Sequence, residues 1–116
     1  MGKEERKINR VLLIFPPVIN SRFTNNISEL PLGIASLAEW VKDQVEVKVL
    51  DASVEGYHHL ESVGQSLIRF GLSERQILSR VEEIQPDLVG FSCIFSSQFQ
   101  IIRKLVDDVK KLDPSI

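Results

Sequence analysis

The sequence predicts an α/β fold of Rossmann-like, flavodoxin-like type, a parallel sheet flanked by helices that stops after its third strand-helix unit. Three observations carry this. Val11 to Phe15 is an unbroken apolar run, the pattern of a strand covered on both faces. Strand-like and helix-like segments then alternate along the chain, and parallel neighbours need crossovers of that length. Finally, Pro16-Pro17 closes the first strand and Pro31-Leu32-Gly33 opens a helix, because proline ends ladder pairing but suits a first helical turn.

Taken in order, residues 1–10 form a basic amino-terminal arm and 11–116 a partial α/β domain. The first strand, Val11 to Phe15, belongs in the centre of the sheet. Val18 to Leu30 is expected to be a polar loop above that strand's carboxyl end, where ligands bind in open α/β sheets. Between Pro31 and Gln44, Ile34, Leu37, Ala38 and Val41 fall on one helical face. Val45 to Asp51 alternates apolar and polar residues, as an edge strand does. Ala52 to Gly71 reads as a loop with a weak helix. Ser73 opens a firmer helix, with Gln76 completing a capping box, Leu72 stapling onto Ile77, and Ile77, Val81 and Ile84 facing inward. Pro86 stops it. Leu88 to Ser92 is the third strand, and a last helix runs from about Ser97 to Leu112 with Ile102, Leu105, Val106 and Val109 on one face before Asp113-Pro114 breaks it.

A third strand left as an open edge invites pairing, so the chain is expected to be a piece of a longer parent. Residues after Ile116 would supply a fourth strand beside Leu88 to Ser92. Self-association through that edge is the other expected use of it.

Composition excludes several functions. The 116 residues are 43% hydrophobic and 26% charged, with a net charge of −2, which fits one globular domain and no nucleic-acid partner. No apolar run approaches the roughly 20 residues of a bilayer span, and no signal-peptide core follows the charged start. One cysteine rules out an internal disulfide and suits a reducing cytoplasm, the expected location. A glycine-rich dinucleotide loop is absent, although Asp51 stands where a ribose-binding acid would, and there is no Gly-Lys-Ser or Gly-Lys-Thr phosphate loop. A phosphoacceptor receiver domain would need carboxylates where this chain has Phe15-Pro16 and Ser92-Cys93. His58 and His59 are adjacent, diverge on any regular element, and read as exposed loop residues. Cys93 reads as a core-packing residue sooner than a reactive thiol. Ser92, Ser96 and Ser97 can cap the next helix or bond to a ligand.

The ordered set Leu13-Ile14-Phe15-Pro16-Pro17, Pro31 to Ala38, Val47 to Asp51 and Pro86 to Ser92, with Phe70-Gly71-Leu72-Ser73 before a helix, resembles the amino-terminal cobalamin-binding domain of cobalamin-dependent radical S-adenosylmethionine enzymes. The resemblance covers most of the chain. It implies a corrin ring lying on the carboxyl ends of the strands, with Pro16, Pro17 and Asn20 shaping the loop over it and Leu32 and Gly33 admitting it closely. Ser92, Cys93, Ile94 and Ser96 would flank the buried nucleotide tail, Ser92-Cys93-Ile94 standing for a Ser-x-Leu element. The loop after the first strand lacks the Asp-x-His-x-x-Gly motif, so the implied subgroup is the one without a histidine on cobalt.

In the parent, the resemblance further implies S-adenosylmethionine and a [4Fe-4S] cluster, which this chain cannot hold because cluster irons need several thiolates. The piece alone would not be catalytic and would bind cobalamin weakly or not at all. The rival reading is a non-catalytic α/β interaction or small-ligand-binding domain.

Overall fold

The computed structural model describes residues 7–23 and 30–116. Residues 1–6 of the expected arm, and residues 24–29 of the expected first loop, lie outside them. The described chain runs β1 (Arg10–Phe15), β2 (Val18–Ser21), α1 (Leu32–Val41), β3 (Glu46–Asp51), α2 (Ala52–Glu55), β4 (Leu60–Val63), β5 (Leu67–Phe70), α3 (Glu74–Ile84), β6 (Leu88–Phe91), a 3-10 turn at Ser96–Gln98, and α4 (Phe99–Leu112).

β1 lies between β3 and β6 in a three-stranded parallel sheet, as its unbroken apolar run predicts. Successive side chains alternate between the faces. Leu12 and Ile14 pack with Leu50 against Ile77 and Val81 of α3 and Ile101, Leu105 and Val109 of α4. Val11, Leu13 and Phe15 pack against Ile34 of α1, Val18 and Phe70. Both faces of β1 are therefore dry. β3 is an edge strand, as expected, with Val49 exposed and Leu50 buried. Its first residue is tied across the ladder, where the Arg10 Nε–H donates to Glu46 at 2.9 Å and holds that exposed carboxyl below its ordinary value.

Two expectations are corrected here. Val18 to Ser21 is not loop but strand β2, and Ala52 to Gly71 is not a loop with a weak helix but a short helix followed by a hairpin. β2, β5 and β4 form a second, antiparallel sheet in that order. Pro16-Pro17 does end the parallel ladder, but the chain then enters this second sheet. Its anchor is Phe70, fully buried against Phe15 and Val18, with Tyr57 edge-on at 5.8 Å.

Helix boundaries follow their capping chemistry. The α3 capping box is present: the Gln76 N–H donates to Ser73 Oγ at 3.1 Å and the Ser73 N–H to Gln76 Oε1 at 2.8 Å. Leu72 packs on the cluster that holds Ile77, as the staple requires. Gln85, in the left-handed region at φ 52°, ends the helix just before Pro86. Ser73→Ala should lower unfolding stability by about 1 kcal/mol, read from urea melts, because one amide of the first turn then loses its acceptor.

α4 begins at Phe99, two residues later than expected, and no side-chain hydroxyl caps it. Its buried stripe is Ile101, Leu105 and Val109, whereas Val106 is 41% exposed. On α1, Leu37, expected inward, is exposed. The exposed Val106 side faces the open edge of β6, where Leu88, Val89, Phe91 and Val109 line an apolar groove of about 290 Å³.

Candidate functional site

The carboxyl end of β1 is built from beneath by one buried polar side chain. Gln98 has no exposed surface, and its two ends meet complementary groups. Its Oε1 accepts from the Ile94 N–H at 3.3 Å and the Phe95 N–H at 3.2 Å, while its Nε2–H₂ donates towards the carbonyls of Pro16 at 3.4 Å and Pro17 at 3.5 Å. Amide nitrogens can only donate and carbonyls only accept, so the partners fix the orientation of the amide. The loop after β1 and the loop after β6 are joined through this residue. Gln98 was not among the residues the sequence singles out, since a glutamine in a polar helix start carries no signal of its own.

The nine expected site residues divide into two groups. Pro16 and Pro17, expected to shape the loop over the corrin, have fully buried side chains, and their carbonyls face Gln98. Asn20 sits half-buried on β2, opposite Ile68 of β5, within the antiparallel sheet and not in a loop.

The others remain available. Leu32, the first residue of α1, is 69% exposed, and a Cβ on Gly33 would meet nothing within 4 Å. Ser92 extends the β1–β6 ladder by one bond, its N–H donating to the Ile14 carbonyl at 2.9 Å. Beyond it Cys93, Ile94 and Ser96 are exposed. For Cys93 this overturns core packing: the strand has ended, and the thiol turns back to the Phe95 carbonyl at 3.7 Å. Ser96 and Ser97 begin the 3-10 turn and leave α4 without a hydroxyl cap.

The two exposed segments, Leu32-Gly33 and Ser92 to Ser96, are rich in apolar and small residues. Leu32, Ile94 and Phe95 are exposed hydrophobics, interleaved with the small residues Gly33, Ser92, Cys93 and Ser96, and these two segments contain no carboxylate. Asp51 is not free for a ribose: its carboxylate caps α2 by accepting from the Val54 N–H at 3.1 Å and from Ser53 Oγ at 2.7 Å. His58 and His59 are exposed between α2 and β4, with His58 edge-on to Tyr57 and His59 Nε2 3.7 Å from Glu61. Among the described residues no group of three or more His, Cys, Asp or Glu is placed to hold a metal ion, and no helix is long and apolar enough to cross a membrane.

A family model for the B12 binding domain matches residues 28–116. Cytidylyl-2-hydroxyethylphosphonate methyltransferase of Streptomyces wedmorensis is 36% identical over 110 residues, which is 91% of this chain and 21% of that protein. The chain therefore spans a minor part of the length of that curated relative. No solved structure matches the chain.

Proposed function

The chain belongs to the B12-binding domain family, and from that premise we propose that the carboxyl end of its parallel sheet cradles a cobalamin inside a larger enzyme. The single observation that supports this most is the buried Gln98, which ties the segment after β6, with its exposed Cys93, Ile94 and Ser96, to the carbonyls of Pro16 and Pro17 at the carboxyl end of β1. Leu32 and Gly33 would lie against the corrin, and Ser92, Cys93, Ile94 and Ser96 beside the nucleotide tail. The residues that follow β1, from Pro16 to Leu30, include no histidine, so the chain offers cobalt no axial ligand from that loop. Bound cobalamin supplies an alkyl-carrying cobalt; the protein's part is to hold and orient it and to exclude water.

The relative's name, a methyltransferase, favours methyl transfer as the reaction of the parent protein. We place S-adenosylmethionine and a [4Fe-4S] cluster in a separate radical domain of that parent, since three clustered cysteines are not found in these residues. The rest of the parent would also cover the groove beside β6, adding a strand to its open edge.

Titration of the parent protein with hydroxocobalamin tests the reading. A shifted visible spectrum and colour that survives desalting are expected; an unchanged spectrum and a colourless eluate would sink it. A separation of binding from folding is also expected at Gly33. Its Cβ position is open, so Gly33→Leu should change stability by no more than about 0.5 kcal/mol, as surface substitutions do. The same side chain would stand where the corrin approaches, and cobalamin affinity should fall about tenfold or more, by equilibrium dialysis.

A further inference from the structure

The antiparallel sheet hides a charge. Arg69 of β5 is only 7% exposed, and its Nη1 is buried without a hydrogen-bond partner. Its other terminal nitrogen donates to the Leu72 carbonyl at 3.1 Å. A guanidinium carries five donors and cannot give up its charge, so a buried one with an unpartnered nitrogen calls for an acceptor. Arg69 lines a cleft of about 490 Å³ together with Ser73, Arg75, Gln100, Glu61 and Glu74. These residues bring together the N-terminal ends of α3 and α4, where backbone N–H groups and helix dipoles favour negative charge.

We infer that this cleft is an oxyanion site, taking a phosphate-class group on Arg69 and Arg75 between the starts of α3 and α4. Of the two carboxylates present, Glu74 is engaged by Lys104, and Glu61 lies 3.7 Å from His59. Glu61 stands directly across the ladder from Arg69, yet it makes no bond to the buried Nη1. Arg69 Nη1 and the exposed Arg75 guanidinium are the donors on offer to phosphoryl oxygens, since Arg69 Nη2 is spent on the Leu72 carbonyl. The cleft exceeds the size of a free phosphate, so the group can be part of a larger ligand. Two sources carry that chemistry: the phosphodiester of cobalamin's own nucleotide tail, or a separate phosphorylated or phosphonylated molecule. The site itself does not rest on the cobalamin reading.

Inorganic phosphate and pyrophosphate are the probes, titrated calorimetrically into the full-length protein. Saturable binding is expected, weakened about ten- to a hundredfold by Arg69→Gln. Because a buried arginine can be needed for folding, Arg75→Gln is the companion variant: its side chain is exposed, and it should weaken the same binding while leaving the melting curve unchanged. Competition against cobalamin, but not against cobinamide, which lacks the nucleotide tail, assigns the site to the cofactor's phosphodiester; competition against neither assigns it to a separate ligand. No saturable binding to the folded protein, or equal affinity in wild type and both variants, overturns the proposal. So does Glu61→Gln destabilising as much as Arg69→Gln with no anion bound, which would make Glu61 the partner in solution.

Discussion

Gly56→Ala should cost the domain about 4 kcal/mol and lower Tm by more than about 15 °C, one of the largest effects available to a single methyl group here. The reason is backbone against backbone. A Cβ at Gly56 would sit 2.1 Å from the Leu72 nitrogen, 2.2 Å from the Gly71 carbonyl carbon and 2.7 Å from its oxygen. Its φ of −105° is open to any residue, so space and not conformation demands glycine. The facing backbone of Gly71 and Leu72 cannot step aside freely. The Leu72 N–H is committed to the Ala52 carbonyl at 2.8 Å and the Gly71 N–H to His59 at 3.3 Å. Gly71 is itself wedged, at φ 129°, with its Cβ position 2.9 Å from Pro17 Cβ. Relief therefore means breaking bonds worth about 1 kcal/mol each in addition to the overpacking.

The damage should be local first. Amide exchange across β4 and β5 is expected to accelerate at denaturant concentrations where β1 stays protected, since the hairpin is held to the parallel sheet by this junction and by Phe70. A Tm within a few degrees of wild type would show that the hairpin can shift, and that the junction is looser than its spacing indicates.

That junction also explains what the sequence hides. The parallel sheet is legible because β1 is buried on both faces, so its five apolar residues leave no other assignment, and because the capping box at Ser73 and the stop at Pro86 bracket α3. The antiparallel sheet has no such pattern. Its strands are four residues long, all of β4 is exposed, and Leu60, Val63 and Leu67 stay in solvent, so burial imposes no period on them. Two weaker signals were present: a three-residue connection beginning at Gly64, and opposite charges at Glu61 and Arg69, which prove to be direct cross-strand neighbours. The α4 stripe keeps Leu105 and Val109 but takes Ile101 in place of Ile102 and Val106, for a related reason. Val106 lies on a second apolar flank turned to the open β6 edge, and a sequence pattern cannot say which of two adjacent apolar faces is covered within the chain.

At the site, exposed small and apolar residues were readable from their place after the strands, but the residue that holds them was not. Gln98 acts on carbonyls more than eighty positions away in the chain. Long-range satisfaction of that kind leaves no local trace.

Gln98→Leu is accordingly expected to do two things at once. Leucine fills nearly the same volume, so the loss is polar: the N–H groups of Ile94 and Phe95 and the carbonyls of Pro16 and Pro17 lose their protein partner. An unsatisfied buried group costs about 1–3 kcal/mol, but these bonds are long and water can reach the Ile94 side, so a total near 3 kcal/mol is the expected fall in unfolding stability. Gln98→Glu should be no better. It keeps acceptors for the two N–H groups but sets a carboxylate against two carbonyl oxygens in a site with no exposed surface. The second effect separates this residue from an ordinary core position. Freed from Gln98, Ser92 to Ser96 lose their fixed height above β1, and cobalamin should bind more weakly even at temperatures where the variant is fully folded. Leu105→Ala, an equally buried site on α4, is the control: it should lose about 2–5 kcal/mol through its cavity yet keep cobalamin affinity once folded. Equal affinities for the two folded variants would reduce Gln98 to a packing residue and remove the floor from beneath the proposed cradle.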